Sequence, residues 1–239
     1  GEEDEGLRNG VFRLARLVYA KGGKLWLPSG AISDQPLVLF RGVHLFGGPE
    51  AKEFHHRLWE RVLLPLGMNH VVVQCERTKW DSTPIDPFEH PMSKDDLAAM
   101  FADYRKMGVE PTPLIQSFGH MEWFFAGGKR TELALNPKEP YAIDPQNPAS
   151  KPALEALWNE VFDLLKPKSI HFGCDEVDMT GFSPHDPRRM TELWEKQMPI
   201  LGGIAKQHGA QMMLWGDMAL KKGEAPDATN SDRKEDAQR

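Results

Sequence analysis

Asp175 and Glu176 stand side by side in the stretch HFGCDEV (171–177), directly after a short apolar run and a glycine. Two neighbouring carboxyl groups suit the cleavage of a glycosidic bond, in which one donates a proton to the leaving oxygen and the other stays ionised. The dipeptide by itself is common. Behind an apolar segment and Gly173 it acquires a place. Successive side chains of a strand point to opposite faces, so both carboxylates reach one ligand only if the chain has left the strand and begun to turn between them. One then reaches deep and the other toward the mouth of a site, and the pair serves two atoms of a single ligand.

The elements that must hold this pair are legible as alternating patterns. Five apolar runs read as strands: LVLFRGVHLF (37–46), HVVVQCE (70–76), EPTPLIQSFG (110–119), SIHFGCDE (169–176) and QMMLWGDM (211–218). Amphipathic stretches with helical spacing separate them at 50–65, 94–107, 151–165 and 188–207. Start signals are Ser93 with Asp96, Ser150, and Asp186 followed by Pro187. A βαβαβαβαβ order predicts a parallel sheet buried on both faces. The helix-to-strand joints are short, whereas the strand-to-helix joints include RTKWDSTPIDPFEHPM, some thirty residues after Phe118, and VDMTGFSPHD. Long loops after strand C-termini are the pattern of a (β/α) TIM-type barrel with its site on that face. The turn FGGPE after the first strand lacks the G-x-G-x-x-G pattern of a doubly wound nucleotide fold.

On the barrel reading, polar residues from every strand converge on one mouth. They are Arg41 and His44; Gln74, Glu76 and Arg77; Gln116 and His120; His171, Asp175 and Glu176; and Trp215 and Asp217. The net charge of −6 and the absence of a dense Lys/Arg run argue against nucleic acid or an acidic membrane surface as partner. Cys75 and Cys174 fit no zinc spacing and are expected to be free, buried thiols. No run approaches 18 apolar residues, and the acidic start GEEDEG is the opposite of a signal peptide's basic region, so a soluble chain is expected and no compartment is assigned.

RGVHLF, MNHVVVQCE, FGH, HFGCDEV and MLWGDM, in this order and spacing, resemble the barrel of the family 20 glycoside hydrolases, the β-N-acetylhexosaminidases, from about Gly10 to Asp227. The resemblance implies release of a terminal N-acetylhexosamine, gluco or galacto, from a glycan or glycoconjugate without a cofactor or metal. The substrate's own 2-acetamido carbonyl would be the nucleophile, so no second carboxylate is needed on the opposite face of the sugar. It implies Glu176 as general acid/base and Asp175 as the group that holds the acetamido N–H. Arg41 would bind hydroxyls of the terminal sugar, His120 would line the site, and Trp215 would wall the acetamido pocket. Glu76 and Asp217 complete the expected substrate-binding set, although QCERTKW lacks the family's paired aspartates at the second strand.

Two other readings compete. A metal-dependent barrel hydrolase would use His44, His120, His171 and Asp175 as ligands. A non-catalytic sugar-binding barrel would keep the pocket without turnover. A closed barrel needs eight strands and only about five βα units are legible, with residues 1–34 read as the tail of a preceding small domain and 35–239 as a barrel incomplete at its C-terminal end. The expectation is therefore a segment of a longer protein, or a sheet closed against a second copy of the chain.

Overall fold

A computed structural model describes residues 2–33, 35–83, 88–177 and 187–219. The chain enters through helix α1 (Glu2–Leu17) and a hairpin of β1 (Tyr19–Lys21) and β2 (Lys24–Trp26). Gly22 and Gly23 form its two-residue turn, both at positive φ, where side chains with a Cβ are strained. Five parallel strands follow in spatial order: β3 (Gly42–Phe46), β4 (His70–Gln74), β5 (Glu110–Leu114), β6 (Ser169–His171) and β7 (Gln211–Met213). The helices between them are α2 (Ala51–Leu58, prolonged by a π turn through Leu63), α3 (Lys94–Lys106), α4 (Ser150–Leu165) and α5 (Pro187–Gln207). The architecture is a partial (β/α) barrel. Among the described residues no helix is long and apolar enough to cross a membrane.

Strand register sorts the side chains onto two faces. Val71, Val73, Ile115, Ile170 and Phe172 face the helices and join the core around the fully buried Trp59, Trp80 and Trp158. The other face carries His44, which pairs with Val72, then Thr112, and further along Leu114, His171 and Met213. Trp215 continues that face two residues beyond Met213. In a flat sheet the outer strands β3 and β7 would stand about 19 Å apart. Yet the rings of His44 and Trp215 are 5.4 Å apart, so the sheet curls until its two edge strands face each other across the concave side. That curl brings the strand C-termini to one mouth.

Central strand β5 contains two prolines, Pro111 and Pro113, which donate no ladder hydrogen bond. Glu110 N donates to Asn69 O at 2.9 Å and Leu114 O accepts from Cys75 N at 2.8 Å, so residues 110, 112 and 114 serve β4. Both prolines therefore turn their missing donors toward β6. That strand is three residues long and meets β5 only at Leu114, with Ile115 N donating to His171 O at 3.1 Å. Without these donors the β5–β6 ladder is confined to the Leu114 end of the strand.

The helix start signals fare unequally. Ser93 caps α3 as expected, its Oγ accepting from Asp96 N at 3.0 Å. Ser150 is not an N-cap: Ala149 takes that position, and Ser150 Oγ donates to Asp144 O at 2.6 Å. Pro187 opens α5, and Asp186 lies outside the described residues. Both cysteines are free and buried. Replacing Ser93 by Ala removes the side-chain acceptor for an exposed helix start and is expected to cost about 1 kcal/mol in denaturant unfolding, with an unchanged m-value.

Candidate active site

The site is built on the turn that follows β6. Gly173, Cys174 and Glu176 adopt left-handed backbone conformations, with φ of 69°, 69° and 45°. A side-chain amide organises the turn. Gln116 Oε1 accepts from Cys174 N at 3.1 Å, and Gln116 Nε2 donates to Asp175 Oδ1 at 2.7 Å. Gly173 leaves room for this amide, since a Cβ there would lie 1.9 Å from Gln116 Oε1. Cys174 shares the left-handed conformation, and its peptide N–H is held by Gln116.

The two carboxylates do turn toward one partner. His120 Nε2 lies 3.6 Å from Asp175 Oδ2 and 3.4 Å from Glu176 Oε2, within ion-pairing distance of both. Asp175 is the deeper group, its side chain 28% exposed against 51% for Glu176. His120 is itself left-handed, at φ 51°, and follows Gly119. A Cβ on Gly119 would meet Asp175 O at 3.0 Å and Val177 Cα at 3.2 Å, so the loops after β5 and β6 pack backbone to backbone.

Trp215 and Asp217 arrive from β7. Trp215 N donates to Gly173 O at 2.9 Å, and its ring packs on His171 at 4.4 Å and His44 at 5.4 Å. Burial pushes the His171 imidazole down to about 4, reinforced by the neighbouring His44, which burial also lowers. Gly173 N donates to His171 Nδ1 at 3.0 Å, which places the ring proton of the neutral tautomer on Nε2. Asp217 Oδ2 accepts from Glu176 N at 3.1 Å. It braces the turn from the side opposite Gln116.

Glu76 lies behind Gln116. It is 6% exposed, and its Oε1 accepts from Gln116 N at 2.8 Å. Burial pushes its carboxyl up to about 7, against the opposing effect of the hydrogen bonds from Gln116 and Gln74.

Arg41 requires correction. It precedes β3 at the N-terminal end of the sheet, a full strand away from the carboxylates. Its Nε donates to Gly67 O at 2.7 Å and its Nη1 to Val38 O at 2.6 Å, while Nη2 pairs with Glu5 of α1. The guanidinium ties α1 to the closed end of the sheet and takes no part in the mouth. Two residues of the cluster carry no such assignment from the sequence. Gln116 is visible there only as one of several polar strand ends. Tyr141, whose OH donates to Glu176 O at 3.0 Å, lies in the long loop after β5 with no motif around it. Among the described residues no group of three or more His, Cys, Asp or Glu is arranged to hold a metal ion, and the histidines proposed for that role pack against Trp215 or the carboxylates.

Several solved glycosidases share this architecture. A chitobiase of Flavobacterium johnsoniae superposes with a TM-score of 0.73 at 19% identity, covering 91% of this chain and 37% of its own. The chain has the fold of the family 20 glycoside hydrolases. The β-N-acetylhexosaminidase of Streptomyces coelicolor A3(2) gives 0.69 at 18% identity, covering 89% of this chain and 48% of its own. An exo β-N-acetylglucosaminidase of Vibrio harveyi in complex with N-acetylglucosamine gives 0.66 at 15%, covering 93% and 42%. The chain thus spans half or less of the length of these proteins. No protein-family model and no curated protein matches the sequence.

The buried Glu76 makes a signed prediction. Between about pH 4.5 and pH 7 the unfolded chain has released this proton while the folded chain keeps it, so the group's contribution to stability falls as pH rises through that window and is level above it. Glu76→Gln removes the titration. Its stability relative to the parent is expected to rise by about 2–4 kcal/mol from pH 4.5 to pH 8, read by denaturant unfolding at each pH. A difference that stays constant with pH would show that folding leaves the Glu76 pKa unchanged.

Proposed function

We propose that the chain is the first part of a β-N-acetylhexosaminidase barrel that releases terminal N-acetylhexosamine from β-glycosides with retention of configuration. The observation that carries this reading is the single imidazole of His120 within 3.6 Å of both Asp175 and Glu176, the first half-buried and the second open to solvent. A pair on opposite faces of a sugar, as acid and nucleophile, stands about 5 Å or more apart with the substrate between. Adjacent carboxylates on one turn serve the same face, which suits a substrate that supplies its own nucleophile.

In the reaction the exposed Glu176 protonates the glycosidic oxygen as the acetamido carbonyl oxygen attacks the anomeric carbon, and the bond to the leaving group breaks. The acetamido N–H donates to Asp175, whose carboxylate orients the carbonyl and balances the positive charge of the oxazolinium. Gln116 suits this role for Asp175 because a neutral amide holds the carboxylate without cancelling its charge. Glu176, now deprotonated, takes a proton from water as the water attacks the anomeric carbon and displaces the acetamido oxygen, which reopens the oxazolinium ring and returns the sugar with its original configuration. Trp215, packed at a tilt against two histidines lowered by burial, offers an uncharged wall for the acetamido methyl. Glu76 and Asp217 support the pocket through Gln116 and the Glu176 peptide. Residues 1–34 are assigned to a preceding small domain, and the remaining three of eight βα units to further chain or to a second copy that closes the sheet between β3 and β7.

Replacing Glu176 by Gln is expected to lower kcat/KM by roughly 10²-fold or more on N-acetylglucosaminides with alkyl or sugar leaving groups, while sparing dinitrophenyl glycosides that leave without a proton. Equal loss on both would remove the acid role from Glu176. Replacing Asp175 by Ala is expected to cost roughly 10²-fold on 2-acetamido substrates of either kind, because orientation of the nucleophile does not depend on the leaving group. Wild-type turnover in that variant would exclude substrate assistance through Asp175.

A further inference from the structure

The Glu176 side chain is half exposed, and the contact that places its carboxyl is with His120 Nε2 at 3.4 Å. Little packs around such a side chain to aim it, so its direction is set by the main chain that carries it. That main chain is left-handed at Glu176, a conformation that a residue with a Cβ holds only when its surroundings impose it. Both ends of the residue's own backbone are held by side chains from elsewhere in the fold. Its N–H donates to Asp217 Oδ2 at 3.1 Å, and its carbonyl accepts from Tyr141 OH at 3.0 Å. A carbonyl oxygen only accepts, so the phenol proton lies on this bond.

Tyr141 is well placed to impose geometry. Its neighbours Ala142 and Ile143 are buried, Ile143 N donates to Phe118 O at 3.0 Å, and Tyr141 O accepts from Met121 N at 2.8 Å. The segment is therefore tied to the same loop that carries His120. The Tyr141 ring also meets the His120 ring edge to face at 5.1 Å. One side chain thus touches both partners of the Glu176–His120 contact. Burial and the nearby carboxylates of Glu122, Glu176 and Asp175 raise the phenol's pKa, which keeps its proton in place across the working range of any such site.

We propose that Tyr141 is a positioning residue for Glu176: its hydroxyl fixes the left-handed peptide that aims the acid at the glycosidic oxygen, while its ring backs His120. The inference rests on the reading of Glu176 as the general acid, and it assigns Tyr141 no contact with substrate. Tyr141→Phe keeps the ring and removes only the hydroxyl. In this variant kcat/KM is expected to fall about 10-fold or more for alkyl or disaccharide N-acetylglucosaminides and to stay within about 2-fold of the parent for the dinitrophenyl glycoside, with inhibition by N-acetylglucosamine unchanged. Equal loss on both substrates, or no loss on either, overturns the proposal. A second measurement does not depend on turnover. The Glu176 carbonyl shares its peptide group with Val177 N, so the Val177 amide ¹⁵N shift is expected to move and its hydrogen exchange to quicken in Tyr141→Phe, with distant amides unchanged. If the parent protein cleaves neither substrate, the hexosaminidase reading fails and the proposed role for Tyr141 fails with it. A changed Val177 amide then marks a purely structural clamp. An unchanged Val177 amide overturns the clamp whatever the activity.

Discussion

Asp175 and the turn that carries it owe their positions to the side-chain amide of Gln116. A backbone N–H can only donate, so the bond from Cys174 N identifies the amide oxygen and turns the NH₂ toward Asp175. Asp175 is thereby held by an uncharged donor. The same residue's peptide N–H satisfies Glu76 on the far side, so Gln116 stands between two carboxyl groups and is bonded to each. Gly173 is the counterpart of this wedge: any Cβ there would occupy the amide oxygen's place. Remove the amide and a buried peptide N–H and a carboxylate oxygen lose their partner at once, a loss that costs more than the bond itself contributes.

Gln116 in turn is held by the strand and helices beneath it. Ile115, one residue before, is buried on the helical side of the sheet, and Ser117, one residue after, accepts from Trp158 Nε1 at 3.0 Å through its hydroxyl and from Gln197 Nε2 at 2.6 Å through its carbonyl. Helices α4 and α5 therefore both grip the chain at the residue after the wedge. The prolines of β5 leave the β5–β6 ladder short, but the pairing at Leu114 and the bond from Ile115 N to His171 O lie directly beneath the wedge. The mouth is thus carried by rigid backbone, while the long loops contribute His120 and Tyr141 from segments pinned to that frame.

Charge is distributed accordingly. Inside the curled sheet burial disfavours ionisation, which lowers His44 and His171 and raises Glu76. The carboxyl groups and the imidazole of the site gather at the rim, where Asp175, Glu176, Asp217 and His120 meet from the loops after β5, β6 and β7. An aromatic floor under a polar rim separates the two tasks of the proposed chemistry, holding an apolar acetamido methyl and handling protons and positive charge.

Patterning along the chain was enough for the alternation of strands and helices, the parallel sheet, the mouth at the strand C-termini, the Ser93 cap and the prominence of Asp175, Glu176, His120, Trp215 and Asp217. These follow from periodicity and from which residues end each apolar run, both local properties. Ser150 looked like a cap because its type suits one, yet the helix begins a residue earlier and its hydroxyl is drawn to Asp144. Arg41 looked like a site residue because it adjoins a strand, and a one-dimensional pattern does not tell which end of the strand its guanidinium will serve. The partnership of Gln116 with Asp175, the burial of Glu76 behind Gln116 and the reach of Tyr141 to Glu176 join residues 35 to 59 positions apart. Such contacts exist only once the sheet has curled, because its curvature, and not the spacing of residues along the chain, brings the loops of different strands to one point.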